Sequence, residues 1–404
     1  AASDVYKRQV TFKSNYTGGP ADSTQSITSD VETALTSNTF SRTGYTFAGW
    51  TANANGSGTS YTNGQSVTIT GALTLHAKWT ANSNTITFNS NFGTPTTSTQ
   101  SITTDAETAL TANTFTRTGY TFAGWTANAN GTGTSYTNSQ SVTITGALTL
   151  YAKWTADSNT VTFKSNYSGG PSDATQSITT DVETALTANT FSRTGYTFAG
   201  WAANANGTGT SYTNSQNVTL TGGLNLFAKW TANTNTVTFK SNYTGGAADT
   251  TQSITTDAST ALTANTFTRT GYTFAGWTAN ADGTGISYTN SQSVTITGDQ
   301  TLHAKWTANS NTVTFKSNYT GGPGDSTQSI TTDVATNLTS NTWTLNGYTF
   351  VGWTTNSDGT GTNYTNGQSV TLTGALTLHA KWNANAQNIT YAAGTGGSGT
   401  GPTS

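Results

Sequence analysis

Gly44-Tyr45-Thr46-Phe47-Ala48-Gly49-Trp50 is followed downstream by a second aromatic-ended segment, Leu73-Thr74-Leu75-His76-Ala77-Lys78-Trp79. The second segment alternates. Leu73, Leu75, Ala77 and Trp79 share one side and Thr74, His76 and Lys78 the other, the period-two pattern of a strand with one buried face. In the first segment, strict alternation puts Tyr45 and Phe47 on one face and Trp50 on the opposite one. A glycine inside a strand commonly marks a bulge, and a bulge at Gly49 returns Trp50 to the core side.

The pair recurs along the chain. Trp50, Trp125, Trp201, Trp277 and Trp353 follow one another with a period of about 76 residues. Each is followed, always at the same interval, by Trp79, Trp154, Trp230, Trp306 or Trp382. Ten of the eleven tryptophans thus belong to one period, and the 404 residues are five small modules rather than two or three ordinary domains. The modules run 10–83, 84–158, 159–234, 235–310 and 311–386, and Asn388-Ile389-Thr390-Tyr391 opens residues 387–404 as the start of a truncated sixth. Residues 1–9 include Asp4-Val5-Tyr6-Lys7-Arg8-Gln9, which matches a reading frame of a transposase sequencing adapter and no later module start. They are expected to lie outside the repeat.

Within module one, Val10-Thr11-Phe12-Lys13-Ser14 alternates as a strand, and Asn15 to Pro20 has turn chemistry. Thr24 to Ser29 is a second strand with Ile27 inward. Asp30 to Leu35 has room for one capped helical turn, with Val31, Ala34 and Leu35 on one side. Val67-Thr68-Ile69 is a further strand that Gly71 breaks. The fold class is therefore mostly β, with at most a short helix per module. The expected core is Val10, Phe12, Ile27, Leu35, Phe40, Tyr45, Phe47, Trp50, Tyr61, Val67, Ile69, Leu73, Leu75 and Trp79. A module this small, with no Cys in the chain, must draw more buried area from each side chain. That accounts for its Trp, Tyr and Phe.

Composition excludes several function classes. Charged residues make up 8%, against roughly 25% in a typical soluble domain. Aromatics at 11%, recurring at fixed places, argue for order. A net charge of −2 and the lack of a basic cluster give no attraction to nucleic acid or anionic membranes. No stretch approaches the length of an apolar membrane-spanning helix.

The run Gly-Tyr-Thr-Phe-Ala-Gly-Trp with Leu-Xaa-Ala-Lys-Trp downstream resembles the Listeria–Bacteroides repeat, also called the internalin B repeat. It stands at Gly44–Trp50 with Leu75–Trp79, Gly119–Trp125 with Leu150–Trp154, Gly195–Trp201 with Leu226–Trp230, and Gly271–Trp277 with Leu302–Trp306. The fifth copy, Gly347–Trp353 with Leu378–Trp382, has Val351 in place of the alanine. The resemblance implies a small ubiquitin-like, β-grasp module. It also implies an extracellular bacterial surface protein whose repeats act as stalks or contact host or neighbouring cells. It carries no catalytic residues.

Comparing the modules with one another screens the chemistry. His76, His303 and His379 share a column with Tyr151 and Phe227, so neither a metal ligand nor a general base is built into the repeat. Glu32, Glu107 and Glu183 align with Ser259 and Ala335, which removes a paired-carboxylate mechanism. No cofactor is expected. Asp30, Asp105, Asp181, Asp257 and Asp333 do stand in every module, read as caps or Asx-turns. Lys78 with Asp30 is the one Lys–carboxylate pair found throughout, the minimum for an intramolecular isopeptide bond, although alternation makes Lys78 a solvated surface lysine. Trp343, which aligns with Phe40, reads as a core substitution. The exposed aromatics that recur beside the Gly-Gly turn, Tyr16, Phe92, Tyr167, Tyr243 and Tyr319, are the binding candidates. Two functions follow: a non-catalytic stalk or spacer of an adhesin, monomeric and extended, or an array that binds a surface glycan or protein by repetition.

Overall fold

The computed structural model describes residues 6–390. They form two compact units, one of residues 6–190 with 200–228 and the other of residues 191–199 with 229–390. The first contains modules one and two and most of module three. The second contains the remainder of module three and modules four and five.

Module one shows the plan. Its strands are β1 (Lys7–Lys13), β2 (Ser23–Thr28), β3 (Thr33–Ala34), β4 (Tyr45–Thr51), β5 (Ser60–Tyr61), β6 (Ser66–Val67) and β7 (Leu73–Ala81). Five of them make one sheet in the order β2-β1-β7-β4-β5, and β3 pairs with β6 as a separate two-stranded ladder. The first and last strands lie parallel at the centre, with Val10 opposite Leu73 and Phe12 opposite Leu75. The other pairings are antiparallel. The same order recurs in all five sheets.

One face of the sheet is covered. Val10, Phe12, Ile27, Trp50, Leu75 and Ala77 project from the sheet into a core completed by Leu35, Phe40, Val67 and Ile69 from outside it. Phe47, Tyr61, Leu73 and Trp79 pack against its margin. The opposite face carries Thr74, His76 and Lys78, as the alternation requires. Burying each large side chain contributes roughly 1.5–3 kcal/mol, so the cluster offsets much of the ordering entropy of a short chain.

The bulge lies where the sequence places it. Phe47 pairs with Trp79, Gly49 with Lys78 and Trp50 with Ala77, so Ala48 is the extra residue and the register shifts between Phe47 and Gly49. Trp50 is consequently 2% exposed. Its ring lies 4.8 Å from Phe12, 4.9 Å from Phe47 and 5.9 Å from Phe40. Gly49 has φ of +122°, and a Cβ there would fall 2.8 Å from the Tyr61 carbonyl oxygen. Gly is thus required on two counts. The indole N–H groups of Trp50, Trp125, Trp277 and Trp353 are buried with no acceptor among the described residues. The aromatic box stabilises the ring and leaves its one polar atom unsatisfied. Trp79 differs, donating from Nε1 to the Ser14 carbonyl at 2.8 Å.

Two expectations need correction. No helix forms at Asp30–Leu35. Asp30 adopts φ of +57°, which cannot start a right-handed helix, and its N–H donates to the Ile69 carbonyl. Gln25 then holds Ala34 and Thr36 through its amide, and Thr33–Ala34 joins β6 instead. Tyr45 is not in the core; it is half-buried and turned toward the next module. At the chain's start, β1 begins at Lys7, within the segment that the sequence sets apart. Residues 388–390 carry no secondary structure, and the rest of the expected sixth module lies outside the described residues. Trp343 packs on the core as expected, 5.7 Å from Trp353.

Gly49→Ala is expected to destabilise module one by about 1–3 kcal/mol through the strained φ and the carbonyl clash. Amide hydrogen exchange should quicken in residues 10–81 and stay unchanged in modules four and five.

Candidate functional site: the aromatic rim and the module joint

The five candidate aromatics do not stand free. Each is half-buried. Tyr16 meets Trp79 edge-on at 6.0 Å and donates its hydroxyl to the Ser41 carbonyl at 2.5 Å. Phe92, Tyr243 and Tyr319 meet Trp154, Trp306 and Trp382 in the same way. Arg42 lies across Tyr16, its guanidinium carbon 5.3 Å from the ring centre, and stacks more closely on Tyr45 at 3.6 Å. Arg117 sits between Phe92 and Tyr120, and Arg269 between Tyr243 and Tyr272. In module three, Arg193 stacks on Tyr196 at 3.6 Å. The flat guanidinium fits between two ring faces, a favourable cation–π arrangement. The column picked out as a binding platform is therefore largely an internal stack.

That stack leads to the joint. Only Asn82 separates β7 from β8 (Ser83–Asn89), the first strand of module two. Asn82 donates its N–H to the Gly44 carbonyl, accepts the Thr104 N–H at its own carbonyl, and accepts the Thr46 hydroxyl at Oδ1. Within module two, Asn84 and Thr104, both buried, bond side chain to side chain at 2.9 Å and hold in place the loop that meets Asn82. The Tyr45 hydroxyl donates to Asp105 of module two at 3.0 Å. A Cβ on Gly44 would lie 2.7 Å from Thr104 Cγ2 and 3.0 Å from the Thr145 carbonyl oxygen, so the modules meet at backbone distance.

Every joint within a unit repeats this. In the first unit Tyr120 donates to Asp181, and Gly119 closes on Thr180 and Thr221. In the second, Tyr196 donates to Asp257 and Tyr272 to Asp333, with Gly195 and Gly271 closing on Thr256 and Thr332. The Asp column is thus not merely a turn residue. Its backbone is left-handed, and in four modules its carboxylate accepts the tyrosine hydroxyl of the preceding module. Lys78 is exposed on the opposite sheet face.

Sequence reasoning missed this pairing because it treated Tyr45 and Asp30 as residues of one module. The available signal was that both columns are filled in all five copies. Among the described residues, no cluster of three or more His, Asp or Glu is placed to hold a metal ion. No helix among them is long and apolar enough to cross a membrane, a statement that does not extend to strands.

The hydrogen bond to aspartate raises the Tyr45, Tyr120, Tyr196 and Tyr272 hydroxyls above the ordinary value of 10.0; partial desolvation adds to this and the stacked arginine opposes it. Only the neutral phenol can donate. The contact is therefore intact below the ordinary phenol value and is lost as pH rises through the raised one. In an NMR titration, Asp105→Asn is expected to return Tyr45 toward its ordinary value and leave Tyr272 where it is.

Comparison with known proteins agrees with this architecture. The sequence model of the Listeria–Bacteroides repeat domain matches residues 9–78, 85–153, 160–229, 236–305 and 312–381. A protein of Evansella cellulosilytica named "Putative membrane protein" is 29% identical over 163 residues, covering 40% of this chain and 24% of its own. A second from the same organism, named "Putative Gly-rich membrane protein", is 28% identical over 231 residues, covering 56% of this chain and 25% of its own. The chain thus spans about a quarter of the length of these relatives. With five matches that follow its internal period, one on each module, the chain belongs to the Listeria–Bacteroides repeat family.

Proposed function

We propose that these modules form a non-catalytic stalk or spacer in a bacterial cell-surface adhesin, an extended monomer that carries other domains outward. The carrying observation is the joint. A one-residue link and a Tyr–Asp bond recur from each module to the next, and the linking residue bonds through its backbone to both sides, an arrangement that ties the end of one module to the start of the following one. The names of the two relatives place those proteins at a membrane, which supports a surface location. The non-catalytic reading rests on the His and Glu columns, which different modules fill with Phe, Ser or Ala. Strand order supports a β-grasp-like description, with a first and last strand parallel at the sheet centre.

A second reading is a multivalent array for a surface glycan or protein of a host or neighbouring cell. The observation in its favour is a groove of about 500 Å³ in module one, lined by Asn15, Tyr16, Asp22 and His76 among others.

Small-angle X-ray scattering on residues 10–386 separates the shapes. The stalk requires a radius of gyration of about 40 Å or above, since five modules of roughly 30 Å in line give about 43 Å. A value of about 22 Å, that of one compact globule, would overturn it. For the second reading, replacing Tyr16, Phe92, Tyr167, Tyr243 and Tyr319 together by Leu is expected to abolish cell or glycan adhesion with circular dichroism unchanged; adhesion that survives removes these residues as the contact.

A further inference from the structure

Module five breaks the stack. Where modules one to four have Arg42, Arg117, Arg193 and Arg269, it has Leu345. The two aromatic columns persist as Tyr319 and Tyr348. Tyr319 keeps its edge contact with Trp382, at 5.8 Å, and its hydroxyl still donates to the Thr344 carbonyl. The place of the guanidinium is now a groove of about 380 Å³, lined by Tyr319, Leu345, Tyr348, Asp358, Lys381 and Trp382 among others. Tyr348 is 45% exposed.

A second difference falls in the same groove. The column of Asp358 holds Asn55, Asn130 and Asn206 in the first three modules, and Asp282 in module four, where Arg269 is present. Module five alone combines the carboxylate with the missing arginine. Asp358 accepts the Thr360 N–H and hydroxyl at Oδ1, while Oδ2 accepts nothing from the described residues. The hydrogen bonds from Thr360 hold this carboxyl below its usual range, so it is ionised at neutral pH. Lys381 also reaches this groove, but its Nζ donates to the Gly359 carbonyl at 3.4 Å and forms no ion pair with Asp358 among the described residues, so the carboxylate is left for another cation.

We propose that the module-five groove is a binding site for an arginine side chain of another protein, taken up between Tyr319 and Tyr348 with Asp358 as its counter-charge. The sister modules define the ligand. In module four, equivalent ring faces hold a guanidinium at 5.2 and 3.6 Å, so the cleft already has the shape and π-faces for a flat delocalised cation. Module five supplies the cleft without a guanidinium of its own. This holds whether or not the array is a spacer.

The test uses the full chain and a short peptide with one arginine. Citrulline and lysine versions of the peptide are controls, and binding is followed by NMR at the Trp382 indole and the Tyr319 and Tyr348 rings. Saturable shifts confined to module five are expected with arginine. Citrulline, which has the same shape without the charge, should bind at least about tenfold more weakly. Leu345→Arg, a residue that four sister modules accommodate, should fold normally and abolish the shifts. Arg269→Leu should open a second site in module four. No saturable shift, equal binding of citrulline, or binding undiminished by Leu345→Arg would each overturn the assignment. Binding of a neutral saccharide in place of arginine would do the same.

Discussion

Unbroken alternation along Tyr45–Thr51 would deliver the largest side chain of the module to water. The extra residue at Ala48, made possible by a glycine at φ of +122°, turns Trp50 inward instead. The rest of the core is arranged around that ring. Phe12 comes from the neighbouring half of the sheet, Phe47 from two pairs earlier on the same strand, and Phe40 from the loop that crosses above. A module of this length without a disulfide or metal has few ways to assemble enough buried area. One tryptophan in a three-phenylalanine box is such a way. Its unsatisfied indole N–H shows that apolar burial outweighs a lost hydrogen bond, which costs roughly 1–3 kcal/mol.

Much of this is legible in the sequence, and the reason is the period. Side-chain alternation on β7 and the glycine in β4 are local signals, and five copies repeat each. The core follows from them, apart from Tyr45. The features that escape such reading depend on long separations. The Tyr45–Asp105 bond spans 60 residues and crosses a module boundary, so no pattern within one module could announce it. Residue type alone makes Asp30 a helix cap. Its left-handed backbone and the partners of its neighbours, Gln25 and β6, are tertiary facts that override a weak helical preference over a short segment. For the candidate aromatics, recurrence beside a turn is visible in the sequence. Their enclosure by Arg42 and Trp79 is set by the packing of separate loops and strands, which no local pattern encodes.

Repeats also allow one chain to serve as its own comparison set. A column that never changes, such as the joint aspartate, marks something every copy needs. A column that changes once, such as Arg42 to Leu345, marks a copy with a different task or a released constraint. Gly347 illustrates the same logic in three dimensions. It keeps φ of +80°, close to that of its four counterparts, yet among the described residues nothing lies within 4 Å of a would-be Cβ, whereas the close approach at the other four comes from the following module.

The placement of β1 beside β7 has a mechanical meaning. The chain enters a module at the start of β1 and leaves at the end of β7, and these two strands are parallel and directly paired. Tension applied through the preceding and following links therefore pulls the two strands in opposite senses along their common axis. The hydrogen bonds between them are loaded in shear, all at once, and cannot be peeled apart in succession from one end. Because a single residue passes the load from β7 to β8, the link has almost no slack to take up first. Each module is built to resist being drawn out by its ends, at the very pair of strands its core is packed upon.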